Sequence, residues 1–178
     1  MLNISKLLIM IVCCGPFIAS AAEETAEVTI IGTVKATTCT LLNKAPVISL
    51  PTIYAHDFGG VKGKVVSSVA VPISFSNCSA NLNKISVKIS GTSDTGGGDA
   101  YTFKNTSTQN SATGVGIYFV DMNGVKFNPN GSTAASIPIS MISGGSVTAT
   151  YSASYVSTSS EVKPGNVSTT VTAVFTYS

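Results

Sequence analysis

From Val147 to Tyr155 every second side chain is apolar or aromatic, and every side chain between them is Ser or Thr. A two-residue period of this kind belongs to a strand with one dry face, because a helix brings together residues three and four apart. The alternation returns at the C-terminal end, where Val171, Ala173, Phe175 and Tyr177 share one face and Thr170, Thr172, Val174 and Thr176 the other. The rest of the chain is rich in Val, Ile, Thr, Ser and Gly in short runs, which predicts an all-β domain. Strands are expected over residues 28–35, 47–50, 69–78, 85–90, 100–104, 116–121, 146–156 and 168–177. Turn clusters such as Gly59-Gly60, Asn123-Gly124, Gly144-Gly145 and Pro164-Gly165 separate them, and short strands at this spacing suggest a β-sandwich.

The N-terminal residues read as an export signal: Lys6, an apolar run from Leu7 to Ile18 broken by Gly15-Pro16, then Ala19-Ser20-Ala21-Ala22. The run is too short for a permanent bilayer anchor. Cleavage is expected after Ala21, with Ala22 the alternative, so residues 1–21 are assigned to the signal. Cys13 and Cys14 leave with it, and neither follows the small residue that a lipobox places before its Cys. Cys39 and Cys78 then remain as the only thiols, and an even pair in an exported chain is a disulfide by default. Closing a ring of about 40 residues is worth roughly 4 kcal/mol in the chain-entropy model. Two Cys and the lone His56 do not complete a zinc shell.

A chain of 178 residues makes one domain with a real core. Its 10 basic residues are all Lys and its formal net charge is +2. Without guanidinium forks or a strong basic balance, no polyanion, nucleic acid included, is implied as a partner. His56 and Asp57 are neighbours, and on an extended chain neighbouring side chains point apart, so they make a poor catalytic dyad. No Lys-Ser/Thr pair follows Gly96-Gly97-Gly98, as a phosphate loop requires, and Asp94, Asp99 and Asp121 lack the rhythm of a calcium loop. These aspartates read as turn formers. No catalytic, cofactor-binding or metal-ligating residue is assigned, no cofactor is expected, and the chain is not read as an enzyme.

Four features occur in a telling order. A short alternating strand from Val28 leads to Gly32, with Cys39 seven residues on and Cys78 after it. Gly114 to Gly124 forms a strand and turn, and Tyr151 to Tyr155 is followed by Pro164-Gly165. Gly165 stands fourteenth from the end and Tyr177 is penultimate. In this order and spacing the chain resembles the type 1 fimbrial subunits of the chaperone-usher pathway. The resemblance implies an incomplete immunoglobulin-like β-sandwich over residues 32–178 that lacks its last strand, preceded by an N-terminal donor-strand extension at residues 22–31. It implies Ala26, Val28, Ile30 and Gly32 as donor residues, and Gly165, Val171, Ala173, Phe175, Tyr177 and Ser178 as the residues facing chaperone and groove. The implied partners are a periplasmic chaperone, an outer-membrane usher and neighbouring fimbrial subunits, and the implied place is a fimbrium on the bacterial surface that supports adhesion.

Periodicity alone leaves residues 22–31 open to a second reading, an ordinary first strand of the same domain. Thr25 and Ala26 stand where major subunits carry glycines, and the short extension is closer to that of tip-adaptor subunits, so major and minor roles both stay open. The alternative function is a pilus-tip adhesin or lectin-type module. Against it, the chain has no room for a separate receptor domain and no Trp to lie under a sugar ring.

Overall fold

A computed structural model describes residues 29–33 and 37–178. The chain divides into two units, Met1–Val34 and Lys35–Ser178. In the first, residues 29–33 form neither helix nor strand, and the rest of the expected strand at 28–35 lies outside the described residues.

The second unit is all-β. Its strands are β1 (Thr40–Leu41), β2 (Val65–Ser76), β3 (Lys84–Gly91), β4 (Phe103–Lys104), β5 (Val115–Val120), β6 (Ala134–Pro138), β7 (Val147–Ser157) and β8 (Val171–Tyr177). They form a 5-stranded sheet in the order β1-β2-β7-β5-β4 and a 3-stranded sheet in the order β6-β3-β8. Every pairing between these strands is antiparallel. The ladder between β2 and β7 runs from Val65↔Val156 to Phe75↔Val147, with a bulge between Val66 and Ser68. Ser67 takes a left-handed φ of 55° there, which strengthens the local twist.

The predicted alternation sets which side chains meet between the sheets. Val71, Ile73 and Phe75 of β2, Ile117 and Phe119 of β5, and Val147, Ala149 and Tyr151 of β7 face Ile85, Val87 and Ile89 of β3. Ile85, Ile89 and Ala149 are wholly buried. The Tyr151 ring stacks on Phe119 at 5.5 Å between centroids, and Phe127 packs against both, an arrangement that adds to area burial.

Three expectations need correction. Residues 47–50 form no strand: they run between Pro46 and Pro51, without a ladder partner among the described residues. The strand expected at 100–104 shrinks to Phe103–Lys104, because the N–H of Thr102 bonds back to the carbonyl of Asp99 and closes a turn. β6 was not anticipated, since Ala134–Pro138 carries little alternation and ends in Pro. It is an edge strand, where a missing N–H is tolerated.

The turn at Asp99 also caps the outer face of β5. Burial works to raise the Asp99 carboxyl, but it is outweighed by hydrogen bonds from Tyr118 Oη (2.6 Å), Thr102 Oγ1 (2.9 Å) and the N–H of Tyr101 (3.0 Å), with Lys126 Nζ at 4.0 Å. The carboxyl is therefore held below its usual value, while burial and Asp99 push the Tyr118 phenol up to about 12. A carboxylate depressed on folding adds stability above its unfolded pKa of about 4 and loses it as pH falls through the lower folded value. Asp99→Asn should remove that part of the acid dependence, seen as a flatter urea midpoint between neutral pH and about pH 3. With Asp99 nearly half exposed, the effect should stay below about 1 kcal/mol.

Candidate functional site

Two neighbouring strands of the smaller sheet are not equally sealed against the core. On β3, Ile85 and Ile89 are 0% exposed and Val87 3%. On its neighbour β8 the side chains of the same inner face, Val171, Ala173, Phe175 and Tyr177, are all only half-buried. Phe175 meets Phe75 edge to face at 4.9 Å, so its orientation is fixed although its cover is incomplete.

The backbone register explains what is missing. The N–H and carbonyl of Ser178 and Lys84 bond to each other, so this is a hydrogen-bonded pair. Counting back two residues at a time along an antiparallel ladder, Thr176, Val174 and Thr172 also point their backbone groups at β3. Val171, Ala173, Phe175 and Tyr177 then point theirs away from it, to the open edge of β8. Among the described residues nothing pairs with that edge. The residues whose side chains are half-covered are the same ones whose backbone groups are unpaired.

Beside this edge lies a groove of about 850 Å³. One wall is β8 with the residues leading into it, and the other is the irregular stretch from Asn43 to Leu50. The floor is the inner face of the larger sheet, with Val71, Ile73, Ile117, Phe119, Ala153 and Tyr155. Among the described residues Lys44 is the only charged one in the lining. Burial pushes the Tyr155 and Tyr177 phenols up, so both stay neutral at physiological pH. Thr169, also in the lining, has a buried Oγ1 with no hydrogen-bond partner among the described residues. An apolar trough flanked by an open strand edge can accept an extended peptide, which would complete the ladder and fill the trough with alternate side chains.

The Cys39–Cys78 disulfide forms, with an S–S distance of 2.07 Å. It joins the residue before β1 to the turn after β2, and Ser79 N–H bonds the Thr38 carbonyl beside it. Gly165 lies outside β8, in the loop before it. Its missing Cβ admits the backbone of residues 110–112, where Asn166 N–H bonds Asn110 and Ala112 N–H bonds Asn166. Gly165 thus fixes the loop that delivers the chain to β8. Ile30 is 89% exposed, and Gly32 has open space where a Cβ would stand. Ala26 and Val28 lie outside the described residues. His56 and Asp57 sit on a 3-10 turn, not an extended segment, and touch at 3.4 Å. Asp57 is occupied in accepting the Tyr54 N–H at 2.8 Å, and the His56 ring stacks on Tyr54 in solvent.

The floor of the groove and its second wall escaped sequence reasoning. For the wall a signal existed: Ile48 and Leu50 are apolar, two apart and bracketed by Pro46 and Pro51, a pattern of packing without pairing.

The family model for fimbrial proteins matches residues 28–178. Among solved structures, the chain is similar to an antigen and type I fimbria protein of Burkholderia pseudomallei, with 26% identity and a TM-score of 0.53 over 79% of this chain and 88% of that one. The P pilus rod subunit PapA aligns over 79% of this chain and 99% of its own, at 18% identity and a TM-score of 0.60. The CupB6 tip adhesin of Pseudomonas aeruginosa aligns over 64% of this chain and 31% of its own, at 19% identity and a TM-score of 0.52. The last two likenesses concern the fold alone. No curated protein matches the chain.

Proposed function

Because the chain belongs to the fimbrial protein family, whose members are structural subunits of surface pili, we propose that it polymerises by donor-strand exchange. The observation that carries this reading is the open edge of β8 above an apolar groove, with Val171, Ala173, Phe175 and Tyr177 offering both side chains and backbone to a missing neighbour. Residues 1–21 direct export, residues 22–31 are the donor extension, and residues 32–178 are the accepting domain. In the periplasm a chaperone strand covers the groove. At an outer-membrane usher, the extension of the next subunit replaces it.

In the extension Ala26, Val28 and Ile30 alternate with Glu27 and Thr29. As a strand it would place the first three on one face, against the neighbour's groove, with Glu27 and Thr29 outward. The seven residues of β8 span roughly 24 Å, ample for three alternate side chains. Burying a Val or Ile in such a trough is worth roughly 1.5–3 kcal/mol, and a carboxylate in its place must also be desolvated.

The test compares opposite faces of one segment. Ile30→Asp should leave the subunit folded and chaperone-bound, since Ile30 is 89% exposed, yet should cut incorporation into fibres at least tenfold. Thr29→Asp should be far milder. Equal assembly of both variants, measured by counting labelled subunits in purified fibres, or unfolding of the Ile30→Asp chaperone complex, would overturn the donor assignment.

A further inference from the structure

The outer face of the smaller sheet, turned away from the groove, carries a second depression of about 400 Å³. Lys84, Ser86 and Lys88 of β3 run along it, with Ser132, Ser136 and Thr176 at its sides. The pairing register sets Ser86 between Ser136 of β6 and Thr176 of β8, which places three hydroxyls in a row across the sheet. The turn at Gly131 forms the far wall. Its φ is +81°, and a Cβ there would stand 2.7 Å from Lys88 Cε, so the lysine stem lies against bare backbone and its reach is constrained.

Among the described residues no carboxylate side chain lines this depression, and neither lysine forms an ion pair. Two cations four residues apart on one strand stand roughly 13 Å from each other. The net charge of +2 conceals the arrangement, because the acids lie elsewhere on the chain. The charged side chains of its lining are thus of one sign, and over a concave surface they concentrate the opposite charge. The remaining lining fits one class of occupant. There is no aromatic ring for a nucleobase to stack on and no large apolar anchor for a protein hot spot, but there are hydroxyls suited to sugar hydroxyls.

We propose that this depression binds an anionic saccharide chain, with Lys84 and Lys88 meeting successive carboxylate or sulfate groups and Ser86, Ser132, Ser136 and Thr176 bonding the sugar between them. The inference does not rest on the groove beside β8, which is lined by the inner face of the sheet.

The experiment uses the full chain, purified with its disulfide intact and immobilised, in about 50 mM salt where screening is modest. The probes are dextran sulfate, polygalacturonate, neutral dextran and polyglutamate. Binding of one or both anionic polysaccharides is expected, the pair separating sulfate from carboxylate recognition, with none of neutral dextran. Lys84→Gln combined with Lys88→Gln should weaken that binding about tenfold or more. Lys62→Gln combined with Lys104→Gln, which removes the same charge elsewhere, should change it less than about twofold. Failure of both anionic polysaccharides to bind would overturn the proposal, as would equal weakening in the two double variants. Polyglutamate binding as tightly as the saccharides would also overturn it, since the hydroxyls would then contribute nothing.

Discussion

Replacing Cys39 and Cys78 together with Ser is expected to cost about 4 kcal/mol of stability, a large share of the total for a domain of this size. The bridge spans 39 residues of sequence, and in the chain-entropy model it acts by restricting the unfolded chain. In the folded domain it also holds down β1, which pairs with β2 only at Thr40↔Ser76 and Leu41↔Phe75. Leu41 both packs against the core and lines the groove. A loosened β1 would therefore disturb the groove as well as the fold. The measurement is a urea titration of the oxidised protein beside the double variant, and the wild type under reductant should fall to the variant's midpoint. Coincident midpoints for all three would show that the ring carries no stabilisation.

Enlarging one residue inside the groove should separate stability from assembly. Ala173 lies opposite Ile89 on β8, half-buried, with the open trough above it. Ala173→Leu adds three carbons, each worth about 0.8 kcal/mol when buried, into space that is empty in the free subunit. The free subunit should be as stable as the parent or more so. An incoming strand must then pack into a trough already partly filled, and overpacking costs typically about 1–3 kcal/mol. Incorporation should fall about ten- to hundredfold, read by competition with the parent subunit in one fibre preparation. Val174→Leu supplies the control, because Val174 is 52% exposed on the opposite face. A matching loss from both variants would point to a damaged strand and not to a filled groove.

How much of this was legible in the sequence depended on whether a residue's partner was local. β7 and β8 are legible because a strand with one dry face writes its burial directly into a period of two. The disulfide followed from counting: of the four Cys, the signal reading removes Cys13 and Cys14 and leaves one pair. β6 was hidden because Ala134 and Ala135 are too small to mark a face, and its strand character comes from β3 across the sheet. The stretch at 47–50 has the opposite history. Ile48 and Leu50 turn towards the core as alternate residues of a strand would, while Val47 is 93% exposed, and among the described residues no backbone partner makes the stretch a strand. The sequence predicts His56 and Asp57 in an extended loop, whereas the 3-10 turn that brings them together depends on Gly59 closing it with a left-handed φ of 60°. The groove itself was foreseen only along β8. Its floor comes from β2, β5 and β7, which are distant in sequence and meet only once the sheets stack.

The place of the disulfide has a mechanical consequence. Without it, a pull on the chain ahead of Cys39 would reach β1 first, and a two-residue strand opens bond by bond like a zip. With it, the load crosses at Cys39 to Cys78 and enters the end of β2, whose ladder to β7 runs from Val65 to Phe75. Tension along that strand loads its hydrogen bonds together, in shear. In a filament that must hold against flow, a pull arriving ahead of Cys39 would then meet the longest ladder of the domain first, with its weakest strand bypassed.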